Sequence, residues 1–316
     1  MNKNNLPQIE KELKNKNKMV AMLAPSFVAE FDYPAIIHQL RELGFEKVVE
    51  LTFGAKMINR DYHKILEENK KTKKKNLIIS SVCPGIVETI KSKYPKLKKN
   101  LIVVDSPMIA TAKICRKTFP KHKIVFISPC NFKKIEAAKS NYVDFVIDYE
   151  ELHNLFEKNN INNKGKDHEG RCHNQENLLI LWSRKSLIFL EKNRRFFLSW
   201  DKFYNDYTKI YPISGGLSKT AHLKGVIHKK EFVVIDGILN LEKFLKKPRK
   251  GIRFLDVTFC KGGCIGGPHL NKNTTLQERK ERLMKYLEVA KKEDIPNKDL
   301  GIINKAKGIR FTNTKI

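Results

Sequence analysis

The sequence predicts an α/β protein whose sheets are at least partly parallel. Three observations lead there. Short apolar, β-branched runs alternate along the chain with longer stretches whose apolar residues recur every three or four positions. Hydrophobic residues make up 41% of the 316, enough for a substantial core, which excludes wholesale disorder. At roughly 150 residues per domain, the length allows about two domains or one two-lobed unit.

The elements follow in order. Residues 1–18 are polar and are expected to be a loose tail or a short helix. Residues 20–24 form a strand. Residues 33–43 form a helix with Ile36, Ile37, Leu40 and Leu43 on one face. A strand at 47–51, a helix at 56–69 and a strand at 76–82 come next. The helix at 86–93 ends near Pro95, because a proline disfavours helix in the residue before it. A helix at 107–119 leads to strands at 123–128 and 145–148. Residues 159–175 (NNINNKGKDHEGRCHNQ) are polar and of low complexity, a surface loop. Residues 178–200 mix apolar and basic side chains and read as helix. Residues 226–235 look like a hairpin ending at Gly237, followed by a helix at 239–245, a strand at 253–259 and a helix at 276–292. The expected organisation is therefore a basic tail at 1–18, a body at 19–300 with a polar and basic insertion at about 155–205, and a tail at 301–316.

Lys and Arg number 62 against 34 Asp and Glu, a net charge of +28. That surplus raises the question of nucleic acid. The lysines, however, are spread over polar connections (Lys11 to Lys18, Lys71 to Lys75, Lys96 to Lys99, Lys246 to Lys250) rather than gathered in a stripe. No zinc-finger, helix-turn-helix or RNA-sheet signature accompanies them. The charge reads as a solvated surface, and nucleic acid is not expected as the partner. No apolar run approaches the roughly 18 residues of a membrane span, so no membrane association is expected. The apolar segment 19–29 contains Pro25, lacks a small-x-small cleavage site and follows Glu10 and Glu12, unlike a secretory leader. With six cysteines, too few for a disulfide scaffold, a cytoplasmic, reducing location is expected. GGLSKT (residues 215–220) lacks the glycines of a phosphate-binding loop, and neither G-x-G-x-x-G nor G-x-S-x-G occurs.

Four cysteines share one context, a predicted strand end beside Pro or Gly. Cys83 stands in SSVCPG, Cys130 ends FISPC, and Cys260 and Cys264 stand in CKGGCIGGP. An iron–sulfur cluster needs thiolates converging from loops, with backbone N–H groups close to sulfide, which Gly and Pro allow. Four thiolates are the ligand count of one cubane, and soft sulfur ligands disfavour magnesium or calcium. Zinc stays open, although structural zinc sites usually show two close pairs, and here there is one pair spaced by three residues and two distant singles. Cys115, on the 107–119 helix, reads as a small core hydrophobe. Cys172 lies beside His168 and His173 in the polar loop and reads as a bystander.

At these residues the chain resembles the catalytic, H-cluster domain of iron-only (FeFe) hydrogenases, from about residue 20 to residue 286. The family's strand-end APA/APS appears as Ala24-Pro25-Ser26 and its FGA as residues 53–55. Its T-S-C-C-P-G appears as SSVCPG, and its S-P as Ser106-Pro107. M-P-C-x-x-K-K-x-E-A appears as SPCNFKKIEA, D-x-V-x-x-x-E-L as DFVIDYEEL, and T-G-G as SGGLSKTA. C-P-G-G-C-x-x-G appears as CKGGCIGGP. The resemblance implies two α/β lobes, each a small, mostly parallel sheet flanked by helices, with the cluster in the cleft between them. It implies a 4Fe-4S cluster on Cys83, Cys130, Cys260 and Cys264, with Cys264 bridging to a di-iron subcluster if one is bound. Lys133 matches the lysine that contacts that subcluster, and Pro25 and Ser26 match residues lining its pocket.

The departures all bear on proton transfer and on the di-iron pocket. The relay cysteine is Val82, the relay glutamates fall at Tyr62 and Ile65, and a relay serine falls at Ile102. None of these is an acid, and aliphatic groups carry no protons. Ser128 and Thr258 replace the two methionines flanking the di-iron site, and Lys261 replaces a proline. The pattern is similar to the family's sensory branch. Residues 1–18 hold no cysteine, so no ferredoxin-type wire is expected there, nor the N-terminal cysteines of the eukaryotic cluster-assembly relatives. The expected function is redox or hydrogen sensing or electron transfer, with slow or no turnover. The partner would be an acidic electron carrier such as a ferredoxin, or a signalling protein. The alternatives are an active hydrogenase with an unusual proton path and, from another class, a basic protein that uses residues 159–200 for nucleic acid.

Overall fold

A computed structural model describes residues 5–71, 76–161, 200, 207–291 and 304–312. The first sheet has strand order β2-β1-β4-β5, formed by β1 (Met19–Leu23), β2 (Lys47–Glu50), β4 (Lys123–Ile127) and β5 (Phe145–Ile147). Every pair in it is parallel, with Val20 opposite Lys47 and Ile124, and Val125 opposite Phe145. The second sheet has order β3-β7-β6, formed by β3 (Ile78–Ile79), β6 (Phe232–Asp236) and β7 (Phe254–Thr258), again wholly parallel.

Parallel strands need crossovers that cover both faces of the sheet, so central strands are apolar on both sides. MVAML of β1 fits this rule. Met19, Ala21 and Leu23 enter one core, with Phe27, Ile36, Leu40 and Val48, while Val20 and Met22 enter the core on the opposite face, with Met108, Ile124 and Phe126. The second sheet divides likewise. Phe254 faces Met57, Tyr62 and Leu223, and Leu255 and Val257 face Ile86, Ile90 and Leu241.

The connecting helices are α2 (Ala35–Leu43), α3 (Thr52–Lys71), α4 (Pro84–Lys93), α5 (Pro107–Thr118), α6 (Asn131–Ala138) and α7 (Tyr149–Lys158). The capping box in α7, Asp148 to Glu151, is written in the sequence as DYEE and closes both ways at 2.8 and 3.0 Å. The N-terminal segment is the short-helix alternative. Leu6–Lys14 is helical, buries Ile9 in the first core, and is tied to the body by Glu12–Lys123 and Glu10–Lys158 pairs.

The expected hairpin at 226–235 is not formed. Residues 223–225 and 229–231 are 3₁₀ turns, and only Phe232–Asp236 is strand, pairing in parallel with β7. The short apolar run carried no signal of its partner, and β7, 18 residues further on and beyond a helix, offers a parallel edge. The 159–175 loop, apart from residues 159–161, lies outside the described residues, as do Cys172 and all of the 178–200 helix except Trp200. Trp200 is buried against Phe27, Tyr33 and Tyr286. Cys115 is wholly buried in the core, as expected, and burial pushes its thiol up.

Candidate metal centre between the two sheets

In open parallel sheets, ligand sites lie outside the carboxyl ends of the strands. All the candidate site residues sit there. Pro25 and Ser26 follow β1, Val82 and Cys83 follow β3, Ser128 and Cys130 follow β4, and Thr258 and Cys260 end or follow β7. Cys130 thus comes from the first sheet, and Cys83, Cys260 and Cys264 from the second.

Two close approaches press these loops together. Gly85 lies where a Cβ would stand 2.9 Å from both Phe132 and Phe259, the rings next to Cys130 and Cys260, which themselves pack at 4.7 Å. Gly263 adopts φ +79°, and a Cβ there would stand 2.5 Å from the Pro212 carbonyl. Its conformation turns Cys264 so that its N–H donates to that carbonyl at 2.7 Å. Cys83 and Cys130 each stand at the N-cap of a helix, α4 and α6.

Three of the thiols feel the charge of their neighbours. Burial, then the charge of Cys83, pushes Cys130 up to about 11 against the pull of Lys133. Burial, then the charges of Cys83 and Cys130, push Cys260 up to about 12. Cys264 is pushed up still further by burial and by all three of the others. Four bare thiols this close cannot all ionise, whereas a cationic metal core removes the protons outright. Cys264 is open to solvent even though protein encloses its sulfur and desolvates it. The donor set fits a thiolate-held metal cluster. Among the described residues, the one His/Cys/Asp/Glu group whose ligand atoms all lie within 4.8 Å of one another is Asp148, Glu150 and His269, so no three of these sulfurs stand that close.

Around the thiols, Lys133 Nζ donates to Glu136 Oε2 at 2.7 Å and to Ser106 Oγ at 3.1 Å. Ser26 is wholly buried, with Oγ 2.9 Å from the Tyr149 hydroxyl. Pro25 is buried beside it. The Thr258 hydroxyl donates to the Cys260 carbonyl at 3.3 Å. Ser128 Oγ and the Tyr211 hydroxyl are buried with no hydrogen-bond partner. Sequence reasoning missed Tyr149 and Tyr211 because no motif marks them. Both are brought in by packing, and both lie within electrostatic reach of Cys264.

The positions matching the relay hold no carboxylate or thiol and are packed into or against an apolar core. Tyr62 and Ile102 are buried in the core that packs on Phe254, and Ile65 and Val82 pack against it. The Tyr62 hydroxyl accepts from the Ser81 N–H at 2.8 Å, lies 3.1 Å from Ser81 Oγ, and is held protonated by burial.

Four thiols gathered from strand ends of two parallel sheets define a two-lobed α/β protein with a cysteine cage in its cleft. The chain belongs to the iron-only hydrogenase family: the large subunit, C-terminal domain matches residues 17–268. It is 27% identical over 264 residues to iron hydrogenase 1 of Clostridium pasteurianum, covering 73% of this chain and 45% of that protein. It is 24% identical over 295 residues to the probable cytosolic Fe-S cluster assembly factor oxy-4 of Caenorhabditis elegans, covering 82% and 62%. The chain thus spans roughly half the length of these curated relatives. The fold is that of the FeFe-hydrogenase HydA1 of Chlamydomonas reinhardtii, with a TM-score of 0.63 over 88% of each chain at 16% identity. No helix among the described residues is long and apolar enough to cross a membrane.

Proposed function

We propose that Cys83, Cys130, Cys260 and Cys264 hold one 4Fe-4S cluster, and that the protein serves redox or hydrogen sensing or electron transfer with slow or no hydrogen turnover. One observation carries this reading: the four thiols converge while Tyr62, Ile65, Val82 and Ile102, the relay positions, are built into or against one apolar core. The width of the cage supports a cubane over zinc, since Zn–S bonds of about 2.3 Å require sulfurs only about 3.8 Å apart. Lys133 and the hydroxyls of Ser26, Ser128 and Thr258 would line the space for a di-iron group bridged through Cys264. An acidic carrier such as a ferredoxin suits a surface of +28.

Anaerobic reconstitution should give about four irons per chain and a cubane EPR signal. Iron-free, colourless protein would end the proposal. Infrared bands of CO and CN after maturation would establish the di-iron group as well. Hydrogen evolution with dithionite above that of a Cys83→Ala control would favour the active-hydrogenase alternative. The likeness to oxy-4 favours a second reading, cluster assembly. Transfer of the cluster to an apo acceptor, in place of reversible one-electron chemistry, would identify it.

A further inference from the structure

The relay positions carry neither carboxylate nor thiol, but a second line of ionisable groups runs from beside the cysteines. It starts at Lys133, paired with Glu136 and donating to Ser106 Oγ. Ser106 caps α5, and the residue before it is Asp105, a carboxylate only 2% exposed. Asp105 Oδ2 lies 2.5 Å from Lys113 Nζ, one α5 turn pair further on. The segment 304–312 closes over both. Lys113 donates to the Arg310 carbonyl at 2.9 Å, and the Asp105 N–H to the Phe311 carbonyl at 2.8 Å. Through Lys307 and Phe311 the same segment also lines a groove of about 620 Å³ shared with Asp61 and Lys64.

We infer that Asp105 is a redox-linked proton acceptor, taking a proton from the groove when the cluster site gains an electron. The inference rests on the cubane reading above. The balance is one electron from a one-electron reductant into the cluster and one proton from groove water onto the Asp105 carboxylate. The net charge of the buried region is then unchanged, and oxidation returns the proton. The groups facing Asp105 set its poise. Lys113 from α5 stabilises the carboxylate, whereas burial and the charges of Glu136 from α6 and Asp61 from α3 oppose it, and Lys133 is paired with that Glu136. Burial, first among these, raises Asp105 to about 6, close to neutral conditions. A negative charge added nearby favours the neutral carboxyl further.

The test is a spectroelectrochemical titration of the reconstituted full chain at a series of pH values. The midpoint potential is expected to be level below about pH 6. Above that it should fall with rising pH, by up to about 59 mV for each tenfold change in proton concentration. Asp105→Asn, with the same iron content and cluster spectrum, should be level throughout. A level wild-type potential, or a slope retained in Asp105→Asn, overturns the inference. Should the variant not hold iron, reduced-minus-oxidised infrared spectra of the wild type decide. A carboxylate band lost and a carboxyl band gained support the inference, and their absence overturns it. Failure of the wild type to take up iron would instead overturn the cubane reading, and this inference with it.

Discussion

Replacing Lys209 by Met tests the buried electrostatics behind the Pro25–Ser26 wall. Lys209 is 1% exposed, and its Nζ reaches Glu50 Oε2 at 2.5 Å and the Tyr286 hydroxyl at 2.8 Å, standing 4.4 Å over the Tyr286 ring. Tyr286 in turn accepts from the Trp200 indole and packs edge-on against Phe27. Methionine keeps most of the volume, so the cavity cost is small and the loss is almost purely one of charge. Glu50 would stay buried, with Oε1 already unpartnered and Oε2 left with Thr52 Oγ1 at 3.3 Å. Stranding a buried charge costs about 3–5 kcal/mol, a large share of a typical total of about 5–15. At roughly 2–4 °C per kcal/mol, the midpoint of thermal unfolding should fall by on the order of 10 °C. Adding Glu50→Gln should recover much of that, because the stranded charge is gone. Circular dichroism melts of the three variants beside the wild type decide. A K209M midpoint within about a degree of wild type, or a double variant as unstable as the two losses summed, would refute the reasoning.

Other outcomes follow from the same structure. Tyr62→Phe removes the acceptor of the buried Ser81 N–H and should cost about 1–3 kcal/mol in denaturant unfolding while leaving iron content unchanged. Val82→Cys restores a thiol beside the cage, but with Tyr62, Ile65 and Ile102 still in place hydrogen evolution should not rise above wild type, as a dithionite assay of matured protein would show. The folded chain holds the Asp105 proton to about pH 6 whereas the unfolded chain releases it near 3.8, so apo-protein stability should fall as pH rises through that window. Asp105→Asn should flatten that part of the pH-stability curve, and an unchanged curve would show that Asp105 does not titrate there. Gly85→Ala should drive Phe132 and Phe259 apart and reduce the iron retained on reconstitution, measured against Gly225→Ala, where nothing lies within 4 Å.

The fold was legible wherever periodicity and breakers agreed. The β1 run, the Ile36 to Leu43 face and the Pro107 helix start stand within a residue of where the sequence placed them, while the helix expected from residue 86 begins two residues earlier, at Pro84. The cysteine cage was legible because Gly and Pro mark strand ends, and the strand ends of parallel sheets converge. Helix Asn131–Ala138 was missed because its only start signal is Cys130, a residue type that does not commonly cap helices. The 226–235 hairpin failed because a five-residue apolar strand says nothing about which neighbour it will find. Asp105 and Lys113 were invisible as a pair, since they stand eight positions apart, one before α5 and one within it, and the segment that seals them is some 200 residues away.

The assignment of β3 to the second sheet has a consequence for how the polypeptide matures. Its two residues pair with β7, whose last residue is Thr258, while the first sheet is complete once Ile147 is available. During synthesis the first lobe can therefore close early, whereas β3 must wait some 175 residues for its strand partner, a connection of high contact order. Cys83 and Cys130 would stand ready on the ribosome long before Cys260 and Cys264 emerge. Half a cage with two unprotected thiols is then an obligatory intermediate of biosynthesis, open to oxidation or to the wrong metal until the last loop arrives.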